Sequence, residues 1–237
     1  MKILALECSA TPASVALLED EKIIASAFSN VKLTHSQTLM PMVESVLNSS
    51  HTDISNIEGL CISAGPGSFT GVRIGISAIK GIAAPKNLPC VAVSTLQSMA
   101  QNYSDTDCIV CAVMDARCNQ VYNAIFNLEK GNITRLTEDR AILCQDLLQN
   151  LKEIFQKTQK DVIIVGDGTD VFYEIAKELT FVKKSHPIRR YQNAVGVGFT
   201  ALESFKMGNT ILASEILPIY LRLPQAEREL KSKEQLK

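Results

Sequence analysis

Histidine is scarce in this chain: His35, His51 and His186 are the only three in 237 residues, and no two stand four apart. A zinc or iron hydrolase needs about three protein ligands and a base, and no such cluster is visible. Net charge is nearly absent too, because 24 basic and 25 acidic side chains leave −1. No net field draws in a polyanion or an anionic membrane, so any grip on nucleic acid has to come largely from another chain. Long apolar runs are missing as well. Glu7 interrupts the N-terminal stretch MKILALECSA, which argues against a signal peptide, and no later run reaches the roughly 18 residues of a membrane span. The seven cysteines form an odd, scattered set without a disulfide framework, so a reducing, cytoplasmic setting is expected. Cys108 and Cys111 make a C-x-x-C inside CIVCAVMD. Residues three apart on a strand point to opposite faces, so these read as buried thiols rather than as a metal or redox pair.

What is present is ordinary globular material, with 46% hydrophobic and 21% charged residues, 12 glycines and 8 prolines. At roughly 150 residues per domain the length allows one large domain or two small ones. Periodicity predicts strands at 3–7, 14–18 and 22–29. Thr34 and Gln37 then make a capping-box pattern, followed by a helix bearing Leu39, Met42, Val43, Val46 and Leu47, which Pro41 either kinks or begins. A strand at 59–64, the turn Gly65-Pro-Gly-Ser68, a helix at 69–84, a strand at 90–93 and a short helix at 95–102 complete this half. The polar stretch 101–107 is the candidate boundary. Beyond it the order repeats: strands at 108–114, 121–127 and 133–136, a helix at 145–156, a strand at 162–165, Gly166-Asp-Gly168 and a helix at 171–179. Two copies of one α/β unit follow, with lobes at 1–103 and 104–237.

Each half carries an acid at the end of its first strand, Glu7 or Asp115, and a Gly-x-Gly after its fourth, Gly65 and Gly67 or Gly166 and Gly168. Glycine loops let backbone N–H groups approach phosphate, and a carboxylate can position a hydrated metal. The arrangement resembles the duplicated ribonuclease-H-like fold of the actin, Hsp70 and sugar-kinase superfamily. Glu7, Ser9, Asp115 and the four glycines are therefore candidate nucleotide-binding residues. The competing reading is that strand-to-helix turns favour glycine for its φ alone.

The stretch Ser63-Ala-Gly-Pro-Gly-Ser-Phe-Thr-Gly-Val-Arg-Ile-Gly75 is more specific. Together with His35, Leu39-Met-Pro-Met-Val43, Val93-Ser-Thr-Leu96, Met114-Asp-Ala-Arg117, Val121-Tyr122 and Pro218-Ile-Tyr-Leu-Arg222, it is similar to the bacterial TsaB (YeaZ) family. The match is strong over residues 1–125 and weak through 130–210. The resemblance implies a cytoplasmic, noncatalytic subunit of the complex that adds a threonylcarbamoyl group to tRNA adenosine next to the anticodon. It implies a TsaD-like catalytic paralogue and a TsaE-like ATPase as partners, with tRNA reached through the complex. Catalytic relatives read G-I-E-T-S-C-D-E-T at the first turn, where this chain has Leu6-Glu-Cys-Ser-Ala-Thr-Pro-Ala13. Glu7 and Ser9 persist, and the acidic pair falls on Thr11 and Pro12. Two metal-binding histidines of those relatives align with Thr95 and Met99. A hydroxyl and a thioether do not replace two imidazoles for a divalent ion. No catalytic residue, no metal and no required cofactor is therefore expected, with weak ATP or ADP binding left open. Peptidase chemistry is disfavoured, because Gly65-Pro-Gly-Ser-Phe is not a nucleophile elbow.

The resemblance also implies that the first two long helices join the partner, through His35, Leu39, Met42, Val43 and Val46 on one and Phe69, Gly71, Arg73, Gly75 and Ala78 on the other. Each interior glycine costs about 1 kcal/mol against alanine, so Gly71 and Gly75 ask for close packing, against either the chain's own sheet or another subunit. Arg73 either binds a carboxylate across the interface or reaches to water. Ser68 is read as a helix cap. Lys183, Lys184, Arg189 and Arg190 form the one compact basic cluster, which is either a tRNA contact or solvated surface. The alternative function is an autonomous ATP-binding hydrolase or phosphotransferase, and homodimerisation through the same helix face is compatible with the leading reading.

Overall fold

The computed structural model describes residues 1–222. The last fifteen positions of the second lobe assigned from sequence, 223–237, lie outside the described residues. The first half folds as β1 (Lys2–Glu7), β2 (Ala13–Glu19), β3 (Lys22–Ser29), α1 (His35–Ser49), β4 (Gly59–Gly65), α2 (Phe69–Ala83), β5 (Cys90–Ser94) and α3 (Thr95–Ala100). The second half repeats the pattern with one added strand: β6 (Cys108–Asp115), β7 (Gln120–Glu129), β8 (Asn132–Arg135), β9 (Arg140–Leu143), α4 (Cys144–Thr158), β10 (Val162–Val165), α5 (Thr169–Ala176), β11 (Val182–Lys184) and α6 (Ala194–Lys206). The result is the duplicated ribonuclease-H-like, two-lobed α/β fold. The strand β9 and the final β11–α6 pair were not read from the sequence.

The first sheet runs β3-β2-β1-β4-β5, antiparallel through β1 and parallel beyond it. Both faces are covered, which is why β1 and β2 are apolar at nearly every position rather than at alternate ones. Leu4, Leu6, Val15 and Leu17 meet α1 and α2 on one face, while Ile3, Ala5, Ala16 and Leu18 meet α6 on the other. The second sheet runs β11-β10-β6-β7-β8, with β9 also paired to β7. Its faces hold α4 and α5 on one side and α3 on the other. Cys108 packs on the α3 side and Cys111 on the α4–α5 side, as strand alternation requires.

Two helices change lobes. Although α3 follows the last strand of the first sheet, it packs beneath the second, and α6 packs beneath the first. Close approach makes this crossing work. A Cβ on Gly196 would stand 2.4 Å from the Ser98 carbonyl oxygen, and one on Gly198 would stand 2.5 Å from a Leu18 methyl. Polar contacts bind the lobes further: Asn193, the N-cap of α6, donates to Asn102 in the turn after α3 at 2.8 Å, and Ser94 donates to Asp139, which also pairs with Arg135 at 2.6 Å.

The capping box expected at Thr34 does not form. Thr34 is the N-cap of α1, yet its side chain caps no backbone N–H, and Pro41 lies inside the helix rather than at its start. Among the described residues, no helix is long and apolar enough to cross a membrane.

Candidate functional site

A cleft of about 580 Å³ opens where the carboxyl ends of β1 and β6 face each other. Its walls include Ser9, Thr11, Gly67, Asp115 and Asp167, with Arg117 and Lys32 at the rim. Glu7, the first-strand acid, is not in the wall. It is completely buried, and its two carboxylate oxygens are occupied within the chain: one accepts the Ser9 N–H at 2.6 Å and the other a short bond from the Ser63 hydroxyl. Burial pushes its pKa up, partly offset by these two donors. Ser9 is equally buried, and its hydroxyl has no hydrogen-bond partner among the described residues.

The corresponding acid of the second half differs. Asp115 is half-buried in the wall and accepts the Arg117 N–H at 2.8 Å, with the Arg117 side chain 3.9 Å away. Arg117, Cys118 and Asn119 all have positive φ, so this is a tight left-handed turn held locally by Asp115. Asp167, between the second pair of glycines, was not singled out from the sequence, although it is the acid the cleft exposes beside Asp115. Gln192 donates to it at 2.8 Å. Burial raises its pKa first, with the nearby Asp115 charge adding to the rise. Its position between Gly166 and Gly168 was the available signal.

The glycines are explained by backbone packing. A Cβ on Gly67 would fall 2.3 Å from the Ser9 carbonyl oxygen, and one on Gly166 would fall 2.1 Å from that of Val113. Gly168 lies against Met114, and Gly65, at φ +118°, lies under the Ile219 carbonyl. Several loop donors turn inward: Ser68 N–H to Ser9, Gly166 N–H to Arg190, and Gly168 N–H to Val113. The first loop thus rests on the turn after β1 and on the C-terminal segment, and the second on the end of β6 and on Arg190. Ser68 caps α2 by accepting the Gly71 N–H, as the cap reading expects.

On the helix pair, the residues expected to meet a partner divide into two groups. Leu39, Val43 and Val46 are buried in the core of the first lobe. Gly71 and Gly75 turn inward too: their Cβ atoms would lie 2.2 Å from the Cys8 carbonyl oxygen and 2.5 Å from the Cys8 sulfur. These five residues face the core of their own lobe, and the small stripe lets α2 approach β1 and the turn after it. His35 holds the same turn, its Nε2 2.7 Å from the Ala10 carbonyl oxygen. Arg73 is exposed, and Met42, Phe69 and Ala78 are half-buried; these four remain on or beside the outward face.

One element of that face was quoted in the sequence as a motif without a role. The segment 216–222 crosses from the first lobe to the second. Ile216 is buried in the first core, Ile219 N–H bonds the Ala64 carbonyl at 2.7 Å, and Arg222 bonds the Ala116 carbonyl. Tyr220 stacks on Phe69, with ring centroids 4.7 Å apart.

The four side chains of the basic cluster pair with three aspartates. Lys184 pairs with Asp170 at 2.7 Å and Lys183 with Asp161 at 3.7 Å, while Arg189 forks onto Asp105 and Arg190 reaches Asp170. Thr95 and Met99, at the positions that the resemblance gives to metal-binding histidines, are both fully buried, and Met99 packs in the core beneath the second sheet. Among the described residues, no group of three or more His, Cys, Asp or Glu is arranged to hold a metal ion.

The family model of TsaD, tRNA N6-adenosine threonylcarbamoyltransferase, matches residues 23–230. The tRNA threonylcarbamoyladenosine biosynthesis protein TsaB of Escherichia coli is 33% identical, over 99% of this chain and 100% of that protein. Its counterpart in Bacillus subtilis is 29% identical over 96% of each. Among solved structures, YeaZ from Pseudomonas aeruginosa superposes with a TM-score of 0.74 at 25% identity, covering 93% of this chain and 99% of that one.

Proposed function

The chain belongs to the TsaD family as a TsaB-like member, and from that premise we propose that it is a noncatalytic subunit of the machinery that puts the threonylcarbamoyl group on tRNA adenosine. Its partners in this reading are a TsaD-like paralogue that does the chemistry and a TsaE-like ATPase, in the cytoplasm. The observation that carries the reading is similarity to TsaB proteins along nearly the whole chain.

The geometry adds two supports. The first-strand acid is sealed from the cleft: it has no surface exposed to water, and each of its oxygens already accepts a bond from Ser9 or Ser63. The crossed helices α3 and α6 tie the lobes together. A subunit that holds its partner in one arrangement contributes a coupling free energy rather than a reacting group. The paired basic cluster fits tRNA contact made mainly by the other subunits.

Depletion of the protein followed by nucleoside analysis of total tRNA tests the pathway: threonylcarbamoyladenosine should fall. Reconstitution tests the role. The chain alone should not modify tRNA, and adding it to the paralogue and the ATPase should raise the rate. Modification by the chain alone would overturn the noncatalytic assignment, and unchanged nucleoside levels would overturn the pathway.

A second reading, an autonomous ATP-binding hydrolase, draws on the size of the cleft and on Asp115 and Asp167 in its wall. Calorimetry with ATP and Mg²⁺ separates the two. Tight binding with turnover by the isolated chain favours the second.

A further inference from the structure

Arg73 is held in an unusual way for an exposed arginine. Its guanidinium carbon lies 3.8 Å from the centroid of the Phe69 ring, and its Nε–H donates to the Tyr220 hydroxyl at 2.8 Å. Tyr220 stacks on the same Phe69 ring at an interplanar angle of 25°. Two aromatic rings thus fix the plane of the guanidinium, and one of its three nitrogens is already used. Arg73 makes no ion pair among the described residues, and Nη1 and Nη2 have no protein partner there. A long cationic side chain normally keeps several rotamers, and ordering one costs entropy. Here the Tyr220 bond and the Phe69 ring contact hold one arrangement before any partner arrives.

Tyr220 is itself fixed. The neighbouring Ile219 is pinned by its backbone bond to Ala64, and its carbonyl presses on Gly65, where a Cβ would come within 2.5 Å. Ile216 is anchored in the core, and Lys80 of α2 holds the Ser214 carbonyl at 3.2 Å. Beside the arginine, a shallow depression of about 390 Å³ is lined by Phe69, Thr70, Ile74 and Ser77.

We propose that Tyr220 is a positioning residue that presets Arg73, so that Nη1 and Nη2 form a two-pronged receptor for one carboxylate of the TsaD-like paralogue, flanked by apolar side chains that fill the depression. Charge complementarity selects the occupant: a fixed guanidinium fork with two open donors matches a carboxylate, and Ile74 and the Phe69 edge match apolar neighbours. The docking surface is therefore built jointly by α2 and the segment 216–222. This inference rests on the proposed partnership.

The test measures association of the full chain with the paralogue by calorimetry at two salt concentrations, using wild type, Arg73→Ala, Arg73→Lys, Tyr220→Phe and the Arg73→Ala/Tyr220→Phe double variant. Arg73→Ala should weaken binding about tenfold or more, as for a buried charged anchor. Arg73→Lys should not restore it, because a point charge lacks the fork. Tyr220→Phe keeps the ring stack and loses only the hydroxyl. It should weaken binding severalfold in wild type and hardly at all once Arg73 is gone, a non-additivity that a purely structural role would not produce. Rising salt should weaken wild type more than Arg73→Ala. Unchanged binding by Arg73→Ala would overturn the receptor, and additive losses would overturn the positioning role of Tyr220. If wild type itself fails to bind the paralogue, the partnership falls and this inference with it.

Discussion

Three glycines on one helix give a graded test of what the small-residue stripe of α2 is for. Alanine at any interior position of a helix is favoured over glycine by about 1 kcal/mol, so each Gly→Ala change begins with the same gain, and the surroundings decide the net. At Gly81 nothing lies within 4 Å of the added methyl, so the gain survives intact. At Gly71 the methyl would sit 2.2 Å from the Cys8 carbonyl oxygen. That neighbour is backbone and cannot rotate away, so overpacking of about 3 kcal/mol applies and the net is a loss of about 2. At Gly75 the methyl meets the Cys8 sulfur at 2.5 Å and the Ile62 Cδ1 at 2.6 Å. These are side-chain ends that yield in part, leaving a loss of about 1 kcal/mol. For a chain of this length 1 kcal/mol moves the thermal midpoint by about 2–4 °C. The order should be Gly81→Ala above wild type by about 2–4 °C, Gly75→Ala below it by a similar amount, and Gly71→Ala lowest by about 4–8 °C. Urea unfolding measures the same ranking independently of heat. If Gly71→Ala and Gly75→Ala left stability untouched and weakened only partner binding, the stripe would be a docking face and the packing argument would be wrong.

Other outcomes follow from the same structure. Burial raises the pKa of Glu7, so the folded state holds this proton more tightly than the unfolded one. Its contribution to stability is therefore present below the usual carboxylate range and is lost as pH rises through the raised value. Glu7→Gln should unfold at higher urea concentration at pH 7 and show a flatter pH dependence; urea titrations from pH 4 to 8 that match wild type would refute this. Gly198→Ala should destabilise by about 1 kcal/mol, because its methyl would meet the Leu18 side-chain end at 2.5 Å and that overpacking outweighs the helix gain of alanine, and denaturant midpoints will show whether α6 sits this close to the first sheet. Lys183→Ala with Lys184→Ala should leave tRNA modification by the reconstituted complex within about twofold of wild type, since both lysines already have aspartate partners; a large rate loss would restore the cluster as a tRNA contact.

The sequence carried the duplicated architecture well, because each repeat announces itself locally. Three strands, a helix, a buried strand and a glycine turn recur in order, and the opposite facing of Cys108 and Cys111 follows from strand alternation alone. It carried α6 poorly, since Gly196 and Gly198 depress the helical signal for a reason visible only in Ser98 and Leu18. Asp167 escaped notice because its partner Gln192 lies 25 residues away in sequence. The face of α2 is the sharpest case. Helical spacing put Gly71 and Gly75 on one stripe, and spacing is blind to whether that stripe meets its own sheet or another protein.

Periodicity, turn chemistry and composition are properties of neighbours along the chain, so the sequence by itself determined the α/β class, the repeat, most element positions and the family signature at 63–75. Tertiary structure decided which helix lies under which sheet, that Glu7 is sealed, that the basic cluster is paired with aspartates, and that Tyr220 reaches Arg73 from 147 residues away. These are meetings between groups far apart in the chain, and they depend on how closely backbones approach, which a linear pattern does not encode.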